Sequence, residues 1–341
     1  MKLGLSVGYW GAGPPPGVTD SVDEAERLGF DSLWTSEAYG SDALTPLAWW
    51  GSRTERMKLG TAIVQMSART PAATAMAAIT LDHLSGGRFM LGIGASGPQV
   101  VEGWYGQAFP KPLARTREYV SIVRNILARQ GPVEHDGEFY QLPYRGGTGL
   151  GKPLKSTVHP VRADLPILLA AEGPKNVALS AEICDGWIPF FYSPYHDQHY
   201  RDALAAGFAT PVARRTAGDF EVAGVVPVMI DDNVDAAADW IRPLLALYIG
   251  GMGARSQNFH RDVFVRMGFG DVCDQITELY LGGEKREAAK VVPTSMVEQV
   301  ALIGPLDKLR GEVGAWKKSL LTTMIVTGPP HLLRQIAELV T

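Results

Sequence analysis

The chain has 341 residues, 46% of them hydrophobic and 20% charged, with a formal net charge of -4. That balance is enough to bury a large core and excludes an intrinsically disordered chain. The slight negative charge offers no overall attraction to nucleic acid or to an acidic membrane surface, and no apolar run approaches membrane-spanning length.

The N-terminal "MKLGLSVGYW" reads as a strand. It lacks the long apolar region and the small-residue cleavage site of a signal peptide. From there short apolar runs alternate with helical patterns, the signature of β-α units building a parallel sheet buried on both faces. Strands are predicted at "LGLSVGY" from Leu3, "SLWTSE" from Ser32, "LGTAIVQM" from Leu59, "FMLGIGA" from Phe89, "PILLAA" from Pro166, "GWIPFF" from Gly186, "EVAGVVPVMI" from Glu221 and "TTMIVTG" from Thr322. Helices are predicted over residues 19–28, 44–53, 71–83, 98–129, 174–184, 194–206, 233–249 and 331–340, with Pro71 and Pro174 in first turns, where a missing N–H is tolerated. Eight such units predict a single (β/α)8 TIM-barrel domain over residues 1–341. Two stretches break the rhythm, 131–165 between strands four and five and 250–320 between strands seven and eight. Their length marks them as lids or walls of a site. Only Cys184 and Cys273 are present, with no zinc-like spacing. A reducing cytoplasm is therefore the expected location, and no metal site is expected.

A parallel barrel places its active site at the C-terminal ends of its strands. Here that rim collects Tyr9, Trp10, Glu37, Tyr39, Gln65, Met66, Ala95, Ser96, Glu172, Phe190, Phe191 and Thr327, an aromatic and weakly charged set suited to a flat conjugated cofactor. After strand five, Gly173 permits close backbone approach and Pro174 starts a helix. The N–H groups of Lys175 and Asn176 are expected among the unpaired donors, and the Lys175 cation adds to them. An anion site and an ordinary Pro-initiated helix both explain this segment. "LGIGASGP" gives small residues at a second strand end without the acidic residue of a dinucleotide fingerprint. Gly packing inside a narrow barrel explains it equally well.

Taken together, "GFDSLWTSEAYGSD", "KLGTAIVQMSARTP", "LDHLSGGRFMLGIGAS", "FPKPLARTREYV" and "AAEGPKNVALSAEICDGW" resemble the luciferase-like monooxygenase superfamily, and within it the actinobacterial oxidoreductases that use the deazaflavin coenzyme F420. The resemblance implies a cofactor ring near Glu37 and Gln65, a non-prolyl cis peptide behind it at Ala62–Ile63, Ser96 and Gly97 flanking the cofactor chain, and a phosphate held by Glu172, Gly173, Pro174, Lys175 and Asn176. It also implies a homodimer. Several deazaflavin enzymes carry Asp-His at the end of strand two, where this chain has Glu37-Ala38. Without that histidine, Glu37, Tyr39, Tyr105 and His260 are the candidates for acid-base work, with Glu37 and His260 carried forward as catalytic candidates.

Trp10, Tyr39, Trp50, Trp104, Tyr105 and Phe191 are candidates to line a substrate pocket, although aromatics at a barrel rim are as often packing. Lys111 and Arg115 could meet an anionic cofactor tail. His196-x-x-His199 lacks the glutamate of a zincin motif and reads as surface histidines. The expected function is hydride transfer between coenzyme F420 and a mostly apolar carbonyl, alcohol or activated alkene. The alternatives are an FMN-dependent monooxygenase, a cofactor-binding protein without turnover, and a glycosidase-like use of Glu37 and Glu172, disfavoured because the two residues follow distant strands.

Overall fold

The computed structural model describes residues 1–253 and 258–340; residues 254–257, inside the 250–320 stretch, and residue 341 lie outside the described residues. Eight strands form the barrel: β1 (Lys2–Ser6), β2 (Ser32–Thr35), β3 (Lys58–Thr61), β4 (Phe89–Gly94), β5 (Ile167–Ala170), β6 (Gly186–Ile188), β7 (Glu221–Val225) and β8 (Thr323–Val326). Each pairs in parallel with the next, and β8 pairs with β1 to close the ring. All eight predicted strands are present.

One bulky side chain fills much of the barrel interior. Trp34 of β2 is 1% exposed and packs with Met90, Leu168, Ile188, Ala223 and Ile325, one residue from each of five other strands. The two remaining strands make room for it with glycine: a Cβ on Gly60 would stand 2.4 Å from the indole, and one on Gly4 2.7 Å from its Nε1. Burying a tryptophan removes roughly 150–250 Å² from water, on the order of 4–6 kcal/mol as an upper bound. The indole N–H is not wasted, donating to Ser32 Oγ at 2.8 Å.

Several predicted elements are shorter or differently divided. The helix expected over 98–129 is two, Pro98–Gly103 and Pro112–Ala128, because Gly106 takes a left-handed φ of 62° and Pro110 and Pro112 lack the N–H a helix interior needs. The helix expected over 233–249 is likewise two, Val234–Asp239 and Arg242–Gly250, with Pro243 in the first turn of the second. The helix expected from residue 194 begins at Gln198. The long strand from Glu221 ends at Val225; after Pro227 a separate strand, Val228–Ile230, pairs with Leu302–Gly304 outside the barrel.

That small sheet opens an inserted body with its own hydrophobic cluster, which includes Leu245, Ile249, Phe264, Ile276, Met296 and Ile303 and joins the barrel through Phe191. The insertion therefore starts earlier than residue 250, and the helix Leu306–Lys317 returns to the main core through Leu309, Val313 and Trp316. The 131–165 stretch is tied down to its neighbours. Its hairpin is pinned by Glu118, which accepts from the N–H groups of Glu138, Phe139 and Tyr140, and its return leg is tied by Arg162 to Asp82 and to the Phe89 carbonyl at the start of β4. Among the described residues, no helix is long and apolar enough to cross a membrane.

Candidate active site at the barrel mouth

The loops after β2 and β3 are joined by one buried carboxylate. Glu37, 6% exposed, accepts from the N–H of Ala43 at 3.3 Å and of Gln65 at 3.1 Å, while Arg69 Nη1 donates to both of its oxygens at 2.8 Å. Its lone pairs are committed, so the expectation of a catalytic acid or base at Glu37 gives way to a positioning role. What it positions is Gln65. After β3 the Ala62–Ile63 peptide is cis. The chain then pairs with β4 again at Val64–Gln65, one residue out of register with the earlier Leu59 and Gly60 pairing, which makes a bulge. A Cβ on Gly92 would lie 1.8 Å from the Thr61 carbonyl, so only glycine admits this path. The Gln65 amide donates to the carbonyls of Glu37 at 3.3 Å and Ala38 at 3.0 Å, leaving its buried Oε1 without a protein partner.

After β4, Ser96 adopts a left-handed φ of 60° and Gly97 caps the helix Pro98–Gly103. After β5, Gly173 starts the helix Pro174–Ile183, and a Cβ there would meet no protein atom within 4 Å. The Asn176 N–H is not a free donor as expected, because it closes a tight first turn on the Gly173 carbonyl at 3.0 Å. The Asn176 side chain is a different matter: its Oδ1 is buried and unpartnered. Lys175 is exposed and has no acidic partner among the described residues. Glu172 turns away from this helix start and accepts from His260 Nδ1 at 2.7 Å, its Oε2 remaining buried and unpartnered. A solvent-open groove lies next to this corner, lined in part by His196, His199 and Arg266, the last of which donates to the Glu172 carbonyl at 3.2 Å.

The structure thus brings His260 and Glu172 together, a pairing that sequence spacing could not show across 88 positions. Burial alone would lower the His260 pKa, but the charge and hydrogen bond of Glu172 outweigh it and raise the value above the ordinary one. The imidazole meets Tyr248 edge-on at 4.8 Å, Phe190 at 5.8 Å and Phe191 at 6.2 Å between ring centres. Asn258 fixes this arrangement. Its Nδ2 donates to the carbonyls of Tyr248 and Ile249, and its Oδ1 accepts from the N–H groups of His260 and Arg261.

The other predicted pocket residues divide. Phe191 is buried, has a φ of 53° and faces His260, and the Tyr105 hydroxyl donates to the Ala38 carbonyl at 3.3 Å. Trp50 is 6% exposed and lies under Trp10, ring centres 6.1 Å apart, so it supports the mouth rather than lining it. Tyr39 is exposed at the rim near Met252, whereas Trp104, 65% exposed, stands out in solvent. Lys111 pairs with Glu138, and Arg115 with Gln107 and Tyr140, which takes both away from a cofactor tail. Arg69, Tyr248 and Arg266 escaped the sequence reading. Nothing near them in the chain marks their partners: Arg69 reaches Glu37 across 32 positions, Arg266 reaches Glu172 across 94, and Tyr248 meets Tyr9 across 239.

The family model for luciferase-like monooxygenases matches residues 6–323. A Mycobacterium tuberculosis protein named provisionally as a coenzyme F420-dependent oxidoreductase is 56% identical to the chain, covering 100% of it and 99% of that relative. Among solved structures, the coenzyme F420 dependent tetrahydromethanopterin reductase of Methanopyrus kandleri aligns with a TM-score of 0.81 at 22% identity, covering 99% of this chain and 98% of its own. An F420-dependent secondary alcohol dehydrogenase aligns with a TM-score of 0.76 at 16% identity, covering 100% and 99%. These two likenesses bear on the fold, while the match along nearly the whole sequence bears on ancestry: the chain belongs to the luciferase-like monooxygenase family.

Proposed function

We propose that this chain is a coenzyme F420-dependent oxidoreductase acting on a mostly apolar carbonyl, alcohol or activated alkene. The observation that carries the reading is the buried acceptor left without a partner at the strand end after β3, Gln65 Oε1. An unsatisfied buried polar atom costs about 1–3 kcal/mol, so this position calls for a ligand that donates to it. A deazaflavin ring has an N–H on its pyrimidine edge that Gln65 could accept, with Glu37 and Arg69 holding the amide in place. Ala62 and Ile63 would back the ring, Ser96 and Gly97 would flank the chain, and the phosphate would meet Gly173, Pro174, Lys175 and the side-chain N–H of Asn176, where the protein leaves open space and, among the described residues, a lysine without an acidic partner. The 56% identity to the M. tuberculosis relative supports the same cofactor.

When bound, coenzyme F420 supplies a two-electron hydride carrier with carbon in place of the flavin N5. The protein's part is to orient the ring, keep the mouth dry with Phe190, Phe191 and Tyr248, and manage a proton. A cytoplasmic homodimer belongs to the same reading.

Titration of the apo-protein with oxidised coenzyme F420 and, in parallel, with FMN tests it by fluorescence quenching. Micromolar binding of the deazaflavin alone is expected. The Lys175→Ala/Asn176→Ala double variant should weaken that binding at least about tenfold, since a charge-assisted contact is worth roughly 1.5–3 kcal/mol. Tight FMN binding would move the protein to the flavin monooxygenases, and binding of neither would refute the cofactor.

A further inference from the structure

The mouth holds one titratable pair that the binding role does not use. His260 arrives from the inserted body and Glu172 from the end of β5, and they meet at 2.7 Å among aromatic rings. With a carboxylate on Nδ1, that nitrogen carries a proton, so Nε2 is the site that gains or loses one. Nε2 makes no hydrogen bond to any described residue. The groups facing the pair are Tyr248 from the helix Arg242–Gly250, Tyr200 from the helix Gln198–Phe208 and Arg266 from the helix of His260 itself, bound to the Glu172 carbonyl. Tyr248 in turn meets the Tyr9 hydroxyl after β1, so the cluster spans the mouth from β5 and β6 to β1. The Tyr248 hydroxyl is held far above its usual range by burial, and next by Tyr9, so it stays protonated and does not compete for the role.

We propose that His260 is the general acid and base of this active site, with Glu172 as its positioning and charge-holding partner, and that the pair takes the place of the histidine that β2 lacks. The proposal rests on the oxidoreductase reading above. In the reducing direction, the carbonyl carbon of the substrate accepts a hydride from reduced coenzyme F420. The C=O π electrons move to oxygen, which takes the proton from Nε2 of the charged imidazole. One C–H and one O–H bond form, the cofactor is oxidised by two electrons, and His260 is left neutral to be reprotonated from solvent. Oxidation of an alcohol runs the same bonds backwards, with neutral Nε2 accepting the hydroxyl proton. Phe190, Phe191 and Tyr248 beside the imidazole favour a compact apolar carbonyl compound over a charged one.

The test uses the full chain and the variants His260→Asn and Glu172→Gln. First, ¹H–¹⁵N NMR should show His260 titrating above the ordinary histidine value in the wild type and lower in Glu172→Gln. An ordinary value in both would overturn the pairing without any reference to activity. Second, coenzyme F420 titration should give His260→Asn an affinity within about threefold of wild type. Third, oxidation of reduced F420 is followed at 420 nm against a panel of aldehydes, ketones and enones. His260→Asn should lose roughly 10²–10⁴-fold in kcat with KM little changed, and the basic limb of the wild-type pH profile should vanish. Retention of rate within about threefold, or persistence of that limb, would overturn the acid role. No turnover of any panel member by cofactor-loaded wild type would refute the oxidoreductase reading and the acid role with it, whereas loss of cofactor binding in the wild type would refute the cofactor itself.

Discussion

Replacing Arg69 by methionine is the sharpest test of how the mouth is held together. Among the described residues Arg69 is the only side-chain cation on Glu37, whose side chain is 3% exposed; the Arg69 side chain is 22% exposed, so the pair is mostly shielded from solvent. Methionine retains apolar bulk but leaves the carboxylate with only the N–H groups of Ala43 and Gln65. Stranding one partner of a buried ion pair costs about 3–5 kcal/mol, far above the worth of a surface pair. The Glu37→Gln/Arg69→Met double variant should recover part of that loss, because the uncompensated charge is gone, and the cycle formed with both single variants gives the coupling directly. Urea unfolding followed by tryptophan fluorescence and by far-UV circular dichroism measures it, and agreement of the two transitions checks the two-state assumption for a chain of this length. Because Glu37 holds the Gln65 N–H, Arg69→Met should also weaken cofactor binding. A loss of less than about 1 kcal/mol, or a double variant less stable than either single one by the full sum, would refute the argument that this ion pair organises the loops after β2 and β3.

Three further outcomes follow from the same structure. Asp185, 5% exposed, receives Arg124, Arg214 and Arg215 and the Ile167 N–H at the foot of β5, so Asp185→Ala should cost about 3–5 kcal/mol, read from the urea midpoint, whereas an exposed ion pair such as Lys111 with Glu138 should be nearly silent. Burial pushes the thiols of Cys184 and Cys273 up to about 12, and both are fully buried, so Ellman's reagent should find about two thiols per chain only after unfolding; rapid labelling of the native protein would contradict the packing. His260 has a folded pKa above its unfolded one despite burial, owing to Glu172. Its contribution to stability is therefore complete below about pH 6.5 and is lost as pH rises through the folded value. The stability gap between wild type and Glu172→Gln should narrow as pH rises above about 6.5, and a constant gap would argue against the charged pair.

The barrel was legible in the sequence because its determinants are local. A parallel strand buried on both faces is a short continuous apolar run, and a helix covering it repeats every three to four residues, so the eight strands from "LGLSVGY" to "TTMIVTG" could be counted without knowing their partners. Prolines were less informative than their chemistry allowed: Pro110, Pro112 and Pro227 mark the breaks that the reading of residues 98–129 and 221–230 ran through. The mouth was legible only as a set of candidates. Gln65 and Asn176 could be placed at strand ends by counting, but which of their atoms are left unpaired depends on where Glu37, Ala38 and Ala170 stand around them. Glu37 looked available for chemistry until Arg69, 32 residues on, was found across both of its oxygens. His260 and Glu172 were named separately and for different reasons; their pairing required the inserted body to fold over β5 with Asn258 holding its first turn. Periodicity and turn chemistry are written residue by residue along the chain, so sequence alone determined the architecture and the face that carries the site. Which polar groups satisfy one another there depends on distances of a few ångströms between segments far apart in sequence, and only the tertiary structure decided that.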